Sequence, residues 1–295
     1  MNHFYSADHL AELNPFPEDP ILQATFERNI AVAIAEDVGS GDVTGLLVPD
    51  QQRVQARLIV RENAVLCGIP WFNGVMTRLD ASIRINWQYQ EGDLMEANSV
   101  VCLLEGPARS LLTAERSAMN FLQTLSAVAT KTQQYVKIVA GTNAKIHDTR
   151  KTLPGLRLAQ KYAVRVGGGE NQRLALYDGI LIKENHIAAA GSIKAVLRQA
   201  YALNANLPIQ IEIETLEQLE EALSEGAKSI LLDNFSLQLM HDAVKLNRGR
   251  AVLEASGSVN QDTVRSIAET GVDRISIGSL TKDIDATDYS MRVIG

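Results

Sequence analysis

The sequence predicts an α/β protein, with a small N-terminal mixed α/β domain followed by an open, incomplete parallel α/β barrel of about six strands. After residue 141, short apolar strands alternate with helical segments almost to the end of the chain. This alternation produces parallel sheets with right-handed crossovers. Six strands can be counted, and the remaining length is too short for a closed eight-stranded barrel, which takes about 250 residues.

The six predicted strands end in polar or small residues. These ends are Arg150 (AKIHDTR), Lys183 (GILIK), Glu212 and Glu214 (IQIEIE), Asp233 (SILLD), Glu254 (AVLE) and Gly278 (RISIG). Helices are predicted to start at Ser192, at Thr215 (which forms a capping box with Gln218), near Ser236 and near Asn260. A doubly wound sheet is the alternative, but no G-x-G-x-x-G follows the first strand.

The first third of the chain has a different pattern. Residues 1–20 are a polar arm interrupted by prolines, and apolar residues recur at helical spacing from Ile21 to Val38. Residues 53–105 form short strand-like segments, and a long helical region runs from Pro107 to about Ala140. We therefore predict an N-terminal domain over residues 1–112, the barrel over residues 113–282, and a tail over residues 283–295 that packs back on the N-terminal domain.

Composition narrows the classes of function. The chain has 295 residues, 46% of them hydrophobic, and a formal net charge of −7, which disfavours nucleic-acid binding. No apolar run approaches the ~20 residues of a membrane span, and the N-terminus lacks the pattern of a secretory signal. The expected location is the cytoplasm. Cys67 and Cys102 lie in apolar strand-like runs and are predicted to be buried thiols.

Cations are concentrated in one stretch of this acidic chain, Lys145–His186. They include Arg150, Lys151, Arg173 and Lys183. Because ligands bind at the carboxyl ends of parallel strands, this concentration predicts a pocket for a multiply anionic small molecule.

The residues at the strand ends are also sorted by type along the chain. Cations follow the first two strands, carboxylates the next three, and Gly or Ser the last turns. Arginine and lysine can clamp carboxylates or pyrophosphate, whereas carboxylates can hold ribose hydroxyls or a Mg²⁺ that arrives with a pyrophosphate. Backbone N–H groups at Ser256–Gly257 and Gly278–Ser279 can bind a phosphate. Gly167–Gly169 follows a predicted helix and is interpreted as its C-cap.

The chain also resembles a known family. It carries, in order, DTRKTLPGLR, KYAV-x-x-GGG-x-N-x-R, LIKENH, E-x-E-x-LEQL, LLDNF, LEASG and ETGVD-x-IS-x-G. These motifs resemble those of the quinolinate phosphoribosyltransferases, and the similarity extends from about Ala33 to the C-terminus. The resemblance implies transfer of phosphoribosyl from phosphoribosyl pyrophosphate to quinolinate, with Mg²⁺, giving nicotinate mononucleotide, pyrophosphate and CO2. It also implies an open barrel fold and a homodimer with a shared active site.

The resemblance assigns roles by matching motif. Arg150, Arg173 and Lys183 would hold the two carboxylates of quinolinate, and Arg116 would reach in from the neighbouring subunit. Thr149 and Gln172 would also contact substrate, and Lys151 would contact the pyrophosphate. Glu212 and Asp233 would meet the ribose hydroxyls and the Mg²⁺, and no organic cofactor is expected. The 5′-phosphate would be held by Ser256, Gly257, Gly278 and Ser279.

One residue departs from the family pattern. The family often has N-H-R where this chain has Asn171, Gln172 and Arg173. Glutamine can donate a hydrogen bond but cannot carry charge, so either a histidine is dispensable at this position or the affinity for quinolinate is altered.

Three other readings stay open at this point. Lys183 could form a Schiff base in a lyase or aldolase, since burial can lower a lysine pKa. A related anionic aromatic acid could replace quinolinate. A protein that binds a phosphoribosyl ligand without catalysis is the third reading.

Overall fold

The computed structural model describes residues 14–203 and 206–294, so most of the predicted N-terminal arm, residues 1–13, lies outside the described part. The chain divides into two compact units. The first comprises Met1–Lys131, Leu153–Gly167 and Asp283–Gly295, and the second comprises Thr132–Thr152 and Gly168–Lys282.

The helices and strands are numbered in chain order. They are α1 Pro20–Asp37, β1 Arg53–Val60, β2 Ala64–Val65, α2 Ile69–Leu79, β3 Arg84–Trp87, β4 Leu94–Met95, β5 Val100–Pro107, α3 Ala108–Ile138, β6 Lys145–His147, α4 Arg157–Val166, β7 Ile180–Ile182, α5 Glu184–Ala190, α6 Ile193–Ala202, β8 Ile209–Ile213, α7 Leu216–Ser224, β9 Ser229–Asp233, α8 Leu237–Asn247, β10 Val252–Ser256, α9 Val264–Ala268, β11 Arg274–Ser276, α10 Ser279–Lys282 and β12 Tyr289–Val293. A short 3₁₀ turn spans Gly45–Leu47. None of the helices in the described ranges is long and apolar enough to cross a membrane.

The first unit is built on a four-stranded antiparallel sheet with the order β12-β1-β5-β3. The last strand of the chain, β12, pairs with β1, where Leu58 lies opposite Met291. Helix α1 begins where the side chain of Asp19 accepts a hydrogen bond from Leu22 N at 2.9 Å, with Pro20 as its first residue. Such a capped start suits an N-terminus because the first N–H groups of a helix lack partners within it.

The second unit is a six-stranded parallel sheet with the order β6-β11-β10-β9-β8-β7. Strands β6 and β7 lie at its two edges, and among the described residues no ladder joins them. Next to β6, Glu170 N donates to Ile146 O at 2.8 Å and Asp148 N donates to Glu170 O at 3.2 Å. The predicted fold class, an open six-stranded parallel barrel after a mixed α/β domain, is confirmed.

Side chains alternate between the two faces of this sheet, as they do on every strand. The apolar set, for example Ile211, Ile230 and Leu253, belongs to the hydrophobic core of the unit together with residues of the surrounding helices. The opposite set contains Gln210, Glu254, Ser276 and His147, all of which are buried. The second face of the sheet therefore places polar groups inside the barrel beside the buried Leu231, rather than a fully apolar layer.

Several predicted helix starts are confirmed by their caps. The side chains of Ser192, Thr215 and Ser236 accept hydrogen bonds from the backbone three residues later. The capping box at Thr215 forms only in part, because the side chain of Gln218 accepts from Glu214 N instead of Thr215 N. The helix predicted near Asn260 begins at Val264, after a turn in which the side chain of Asn260 accepts from Thr263 N.

Three predicted strand ends are wrong by two or three residues. Strand β11 ends at Ser276, two residues before the predicted end at Gly278. Strand β6 ends at His147, so Arg150 lies three residues beyond it, because Asp148 leaves the ladder and binds the segment after Glu170. Strand β10 continues to Ser256, and Glu254 is an interior residue of that strand with 1% exposure. Helix α5, directly after Lys183, was not predicted.

Candidate functional site

The carboxyl ends of β7, β8 and β9 bring three charged side chains to one face of the sheet. Residues Ile182 and Ile211 pair, and so do Ile213 and Leu232. Lys183 therefore stands level with Glu212, and Asp233 stands diagonally beyond it on the neighbouring strand, on the same face.

Lys183 and Glu212 form an ion pair at this edge. The ammonium Nζ of Lys183 donates to Oε2 of Glu212 at 2.8 Å and to Oε1 at 3.1 Å. The Lys183 side chain is 44% exposed, whereas that of Glu212 is 13% exposed. Lys183 is also the N-cap of α5, and its backbone N–H donates to Nδ1 of His186 at 3.0 Å. His186 therefore fixes the backbone from which the lysine extends.

Two arginines come close to each other near the same ends of the strands. The pKa of Arg173 is lowered, first by its burial and second by the positive charge of Arg150, while Asp178 opposes the shift. Nη1 of Arg173 donates to Gly179 O at 3.0 Å, and its buried Nε has no hydrogen-bond partner within the described part of the chain. Two positive guanidinium groups near each other favour an anion. The buried Nε of Arg173, which has no acceptor among the described residues, adds to this preference.

The loop that carries Arg173 is held by Asp178. Its carboxylate accepts from Leu174 N at 2.7 Å and from Ala175 N at 2.8 Å. Asp178 was missed in the sequence. The signal available there was a carboxylate five residues after Arg173 in a turn that ends in glycine.

Lys151 lies where β6 and β11 end. A Cβ on Gly278 would lie 2.9 Å from Cδ of Lys151 and 3.5 Å from Oγ1 of Thr149, so these three residues are adjacent. The backbone of Lys151 is held at both ends, because its N–H donates to Thr149 Oγ1 at 3.1 Å and its carbonyl accepts from Thr281 Oγ1 at 2.8 Å. The glycine leaves room for the lysine stem to cross the end of the barrel.

The ends of β9 and β10 are also closely packed, at Asp233, Asn234 and Gly257. Ser256 pairs with Asp233 across β9 and β10, and Asn234 N donates to Ser256 O at 2.9 Å. Gly257 has φ +112°, and a Cβ there would overlap Oδ1 of Asn234. A side chain is therefore excluded at Gly257, which is half-buried at this turn.

Buried polar residues link Gln172 to the barrel interior. Nε2 of Gln172 donates to Oε1 of Gln210 at 3.0 Å, and Nε2 of Gln210 donates to Oε2 of Glu254 at 2.9 Å. The other carboxylate oxygen of Glu254 accepts from Ser276 Oγ. Gln210 was missed as a site residue, although its alternation with Glu212 in IQIEIE indicates that both lie on one face.

His147 lies on the same interior face, and its side chain is 4% exposed. Its Nε2 lies 3.2 Å from Oε2 of Glu170. Burial is the main cause that lowers the pKa of His147, and the charge of Arg274 adds to it, whereas Glu254 and Glu170 oppose the shift. The imidazole is therefore neutral at neutral pH.

Two of the predicted site residues lie on helices. Arg116 is exposed on α3 within the first unit. In the second unit, Ser279 follows Gly278 as the first residue of the short helix α10.

Family models match nearly the whole chain. The model of the quinolinate phosphoribosyl transferase N-terminal domain matches residues 42–126, and that of the C-terminal domain matches residues 128–292. A Mycobacterium leprae protein named nicotinate-nucleotide pyrophosphorylase (carboxylating) is 40% identical, covering 88% of this chain and 94% of its own. A Nicotiana tabacum protein named quinolinate phosphoribosyltransferase (decarboxylating) 2b, mitochondrial, is 35% identical, covering 89% and 80%.

Solved structures agree with these sequence relatives. The structure of the nicotinate-nucleotide pyrophosphorylase from Francisella tularensis superposes with a TM-score of 0.89 at 43% identity, covering 92% of this chain and 96% of that one. The chain therefore belongs to the quinolinate phosphoribosyltransferase family.

Proposed function

We propose that this chain transfers phosphoribosyl from phosphoribosyl pyrophosphate to quinolinate and releases CO2 and pyrophosphate, giving nicotinate mononucleotide. This pentosyl transfer belongs to the de novo route of NAD biosynthesis. Family membership and the names of the relatives support it. The observation that carries it is the proximity of Arg150 and Arg173. Their guanidinium groups are close enough to interact electrostatically, and Nε of Arg173 is buried with no acceptor among the described residues, which suits a substrate with two carboxylates.

The diacid is held by Arg150, Arg173 and Lys183, with Gln172 and Thr149 as further contacts. Guanidinium groups bind carboxylates with paired N–H donors, and the Nε of Arg173 supplies one of these donors. Lys183 is already paired with Glu212, so the bound diacid would share the ammonium with that carboxylate. A monoacid would leave part of this positive charge without a partner.

The activated sugar lies on the other half of the barrel edge. Glu212 and Asp233 accept hydrogen bonds from the ribose hydroxyls, and Lys151 meets the pyrophosphate. Backbone N–H groups at Ser256, Gly257, Gly278 and Ser279 bind the 5′-phosphate, as glycine-rich turns do in other barrels. The close packing at Gly257 and Gly278 supports this phosphate site, because it keeps side chains out of both turns.

The donor set fits a Mg²⁺ that arrives with the substrate. No group of three or more His, Cys, Asp or Glu side chains that could hold a metal occurs among the residues that the structure describes. Mg²⁺ is commonly bound by one or two carboxylates plus substrate phosphates, and Glu212 and Asp233 provide two carboxylates on one face. When bound, the ion would neutralise charge on the pyrophosphate.

The residues act mainly by position and charge. As the bond between ribose C1 and the pyrophosphate oxygen breaks, its electron pair goes to that oxygen, where Lys151 stabilises the negative charge, while Glu212 and Asp233 stabilise the positive charge on the sugar. The pyridine nitrogen then forms the new bond to C1. The carboxylate on the adjacent carbon then leaves as CO2, and the electron pair of the broken C–C bond stays on the ring carbon beside the cationic nitrogen. A proton then binds that carbon in place of the carboxylate.

A homodimer with a shared site fits the surface of the first unit. Val43 (79%), Leu46 (68%) and Leu47 (85%) are largely exposed in one short stretch, and apolar clusters of this kind mark association sites. This stretch borders a cavity of about 630 Å³ that is also lined by Leu112 and Thr113, on the helix that carries Arg116. Arg116 would enter the active site of the neighbouring subunit. A cytoplasmic location is supported by the two buried, unpaired thiols Cys67 and Cys102.

Incubation with phosphoribosyl pyrophosphate, Mg²⁺ and quinolinate tests the reaction. We expect nicotinate mononucleotide, pyrophosphate and CO2 in equal amounts, and no product would refute the assignment. Borohydride treatment with carbonyl substrates tests the lyase reading, for which a covalent adduct at Lys183 is required. The ion pair of Lys183 with Glu212 favours an ionic role, because Nζ of Lys183 already donates to both oxygens of a carboxylate.

A further inference from the structure

The segment that leads into β7 is a loop whose two ends lie side by side. A Cβ on Gly179 would lie 3.2 Å from Cβ of Arg173 and 3.7 Å from its Cδ, so the first and last residues of the stretch 173–179 are adjacent. This stretch is called the arginine loop here. Because Arg173 is a proposed contact of the diacid, the conformation of this loop determines where one of the binding cations lies.

Burial of apolar side chains contributes little to holding the tip of the arginine loop. Leu176 is 71% exposed and Tyr177 is 62% exposed, so both apolar side chains at the tip face solvent. A segment with few buried apolar contacts opens at a low cost in free energy unless other bonds restrain it. The conformation of this loop therefore depends on its hydrogen bonds.

Asp178 supplies two of these hydrogen bonds. Its Oδ2 accepts from Leu174 N at 2.7 Å, and its Oδ1 accepts from Ala175 N at 2.8 Å. These are the two N–H groups that directly follow Arg173 in the chain. Hydrogen bonds to an ionised acceptor are about twice as strong as those between neutral groups. The carboxylate therefore fixes the backbone from which the Arg173 side chain extends.

The guanidinium of Arg173 bonds a neutral carbonyl rather than the nearby carboxylate. Its Nη1 donates to Gly179 O at 3.0 Å, whereas both oxygens of Asp178 accept from backbone N–H groups. Burial and the charge of Arg150 lower the pKa of Arg173, and the charge of Asp178 opposes this shift from a distance. An ion pair would neutralise Arg173, but a bond to a carbonyl orients the guanidinium and leaves its charge for an anion.

We propose that Asp178 is a positioning residue for quinolinate, which holds Arg173 in place through the loop backbone without pairing with its guanidinium. This inference rests on the proposed function, in which Arg173 binds a carboxylate of the diacid. The two carboxylates of quinolinate have a fixed separation on the ring, so the cations that bind them need a fixed separation too. A displaced Arg173 therefore weakens binding of quinolinate more than binding of phosphoribosyl pyrophosphate. Asp178 itself does not touch the substrate.

Asp178→Ala removes both hydrogen bonds to the arginine loop. We expect the dissociation constant of quinolinate, measured by calorimetry, and its KM to rise about 5- to 20-fold, because a bond to a charged group loses its alignment. The KM of phosphoribosyl pyrophosphate should stay within about twofold, and kcat should fall less than about threefold. If Asp178→Ala does not fold, Asp178→Asn replaces it, since the amide keeps the shape but only its oxygen can accept.

Asp273→Ala is the matched control. Oδ2 of Asp273 accepts from Leu253 N at 2.7 Å, so this carboxylate also binds a backbone N–H group, but it directly precedes β11 at the amino end of the sheet. We expect a lower melting temperature and a quinolinate affinity within about twofold of the starting protein. Loss of a backbone hydrogen bond elsewhere in the unit is thereby separated from loss of the position of Arg173.

Gly179→Ala displaces Arg173 without altering Asp178. The new Cβ would lie 3.2 Å from Cβ of Arg173, and Gly179 is not among the glycines with a positive φ, so alanine fits the backbone but crowds the arginine. We expect the same selective loss of quinolinate affinity, by about threefold or more. In an Arg173→Ala background, Asp178→Ala should add less than about a twofold effect on kcat/KM for quinolinate, because its target is already absent.

The outcomes separate the two levels of inference. If the unaltered protein fails to turn over quinolinate, the proposed function fails. If it turns over quinolinate but Asp178→Ala and Gly179→Ala leave quinolinate affinity within about twofold, the positioning role is refuted. Equal rises in KM for both substrates, an equal loss of quinolinate affinity in Asp273→Ala, or effects of Asp178→Ala and Arg173→Ala that multiply independently would also refute it.

Discussion

Nζ of Lys183 lies 2.8 Å from Oε2 and 3.1 Å from Oε1 of Glu212, so one ammonium group contacts both oxygens of a carboxylate at the barrel edge. The Lys183 side chain is 44% exposed. Pairs with an exposed member contribute only about 0–1 kcal/mol to folding because water screens them. Stability therefore gives little reason for this pair. In the proposed function, its value lies in holding a cation where a substrate carboxylate would bind.

Replacing Lys183 should separate activity from stability. Lys183→Ala is expected to lower kcat/KM for quinolinate about 10²-fold or more, as loss of a positioned charged donor does, while changing the free energy of unfolding by less than about 1 kcal/mol. Lys194→Ala is the matched control, because Lys194 forms a comparable ion pair with Glu225 at 3.2 Å on the barrel surface. Steady-state kinetics and urea unfolding measure both quantities. Equal activity losses in the two variants would contradict the role of Lys183.

If Arg116 of each subunit enters the active site of its neighbour, as proposed, two inactive variants should complement each other. Arg116→Ala and Lys183→Ala proteins should each be nearly inactive, but mixing them should restore part of the activity through hybrid dimers with one intact site. The recovered activity should approach a quarter of the original value, since about half of the dimers are hybrids and each has one of two sites. No recovery after demonstrated subunit exchange would exclude a shared site.

Gly257 should tolerate no side chain. Gly257→Ala places a Cβ against Oδ1 of Asn234 at a positive φ, and we expect a loss of about 1–3 kcal/mol in stability and a higher KM for phosphoribosyl pyrophosphate. Gly226→Ala is the control, because Gly226 has φ +85° with nothing within 4 Å of a new Cβ. The difference between the two variants measures the collision. Identical stability and kinetics in both would argue against close packing at Gly257.

Acid should destabilise the second unit through His147. Burial lowers the pKa of His147 below its ordinary value of 6.5, and Arg274 adds to the shift, while Glu254 and Glu170 oppose it. As pH falls through 6.5, the unfolded chain binds a proton at His147 that the folded protein does not bind, so stability falls until the lower folded pKa is reached. A single group contributes at most about 1.4 kcal/mol per pH unit.

His147→Gln removes this contribution. We expect the free energy of unfolding to depend less steeply on pH between 7 and 5 in the variant than in the starting protein, when both are measured by urea titration. The neighbouring carboxylates are present in both proteins, so their contribution largely cancels in the comparison. An unchanged slope would show that His147 binds protons alike in the folded and unfolded chain.

The sequence predicted those parts of the fold that depend on local patterns. Helix caps at Ser192 and Ser236 and the long helix α3 follow from neighbouring residues, and the alternating strands predicted an open barrel. The end of β6 and helix α5 were not predicted correctly. Asp148 leaves the strand because its carboxylate accepts hydrogen bonds from Asn171 and Gln172, more than 20 residues later in the chain. Local sequence patterns do not predict such a distant partner.

In the site, too, residues marked by local patterns were predicted, whereas contacts between distant parts of the chain were not. Lys183 and Glu212 could be named because each follows or ends an apolar strand, and the structure brings them into contact. The link from Gln172 through Gln210 to Glu254 joins residues that are 38 and 44 positions apart. Its existence depends on the register of strands that are not consecutive, which composition and periodicity do not specify.

We propose that the clustered positive charge at the barrel edge recognises both carboxylates of the substrate. The most direct test compares turnover of quinolinate and of nicotinate, each with phosphoribosyl pyrophosphate and Mg²⁺, by the unaltered protein and by Arg150→Ala. We predict turnover of quinolinate but not of nicotinate, and a loss of about 10²- to 10³-fold in kcat/KM for quinolinate in the variant. Comparable turnover of both acids, or an Arg150→Ala protein with unchanged kinetics, would contradict the claim.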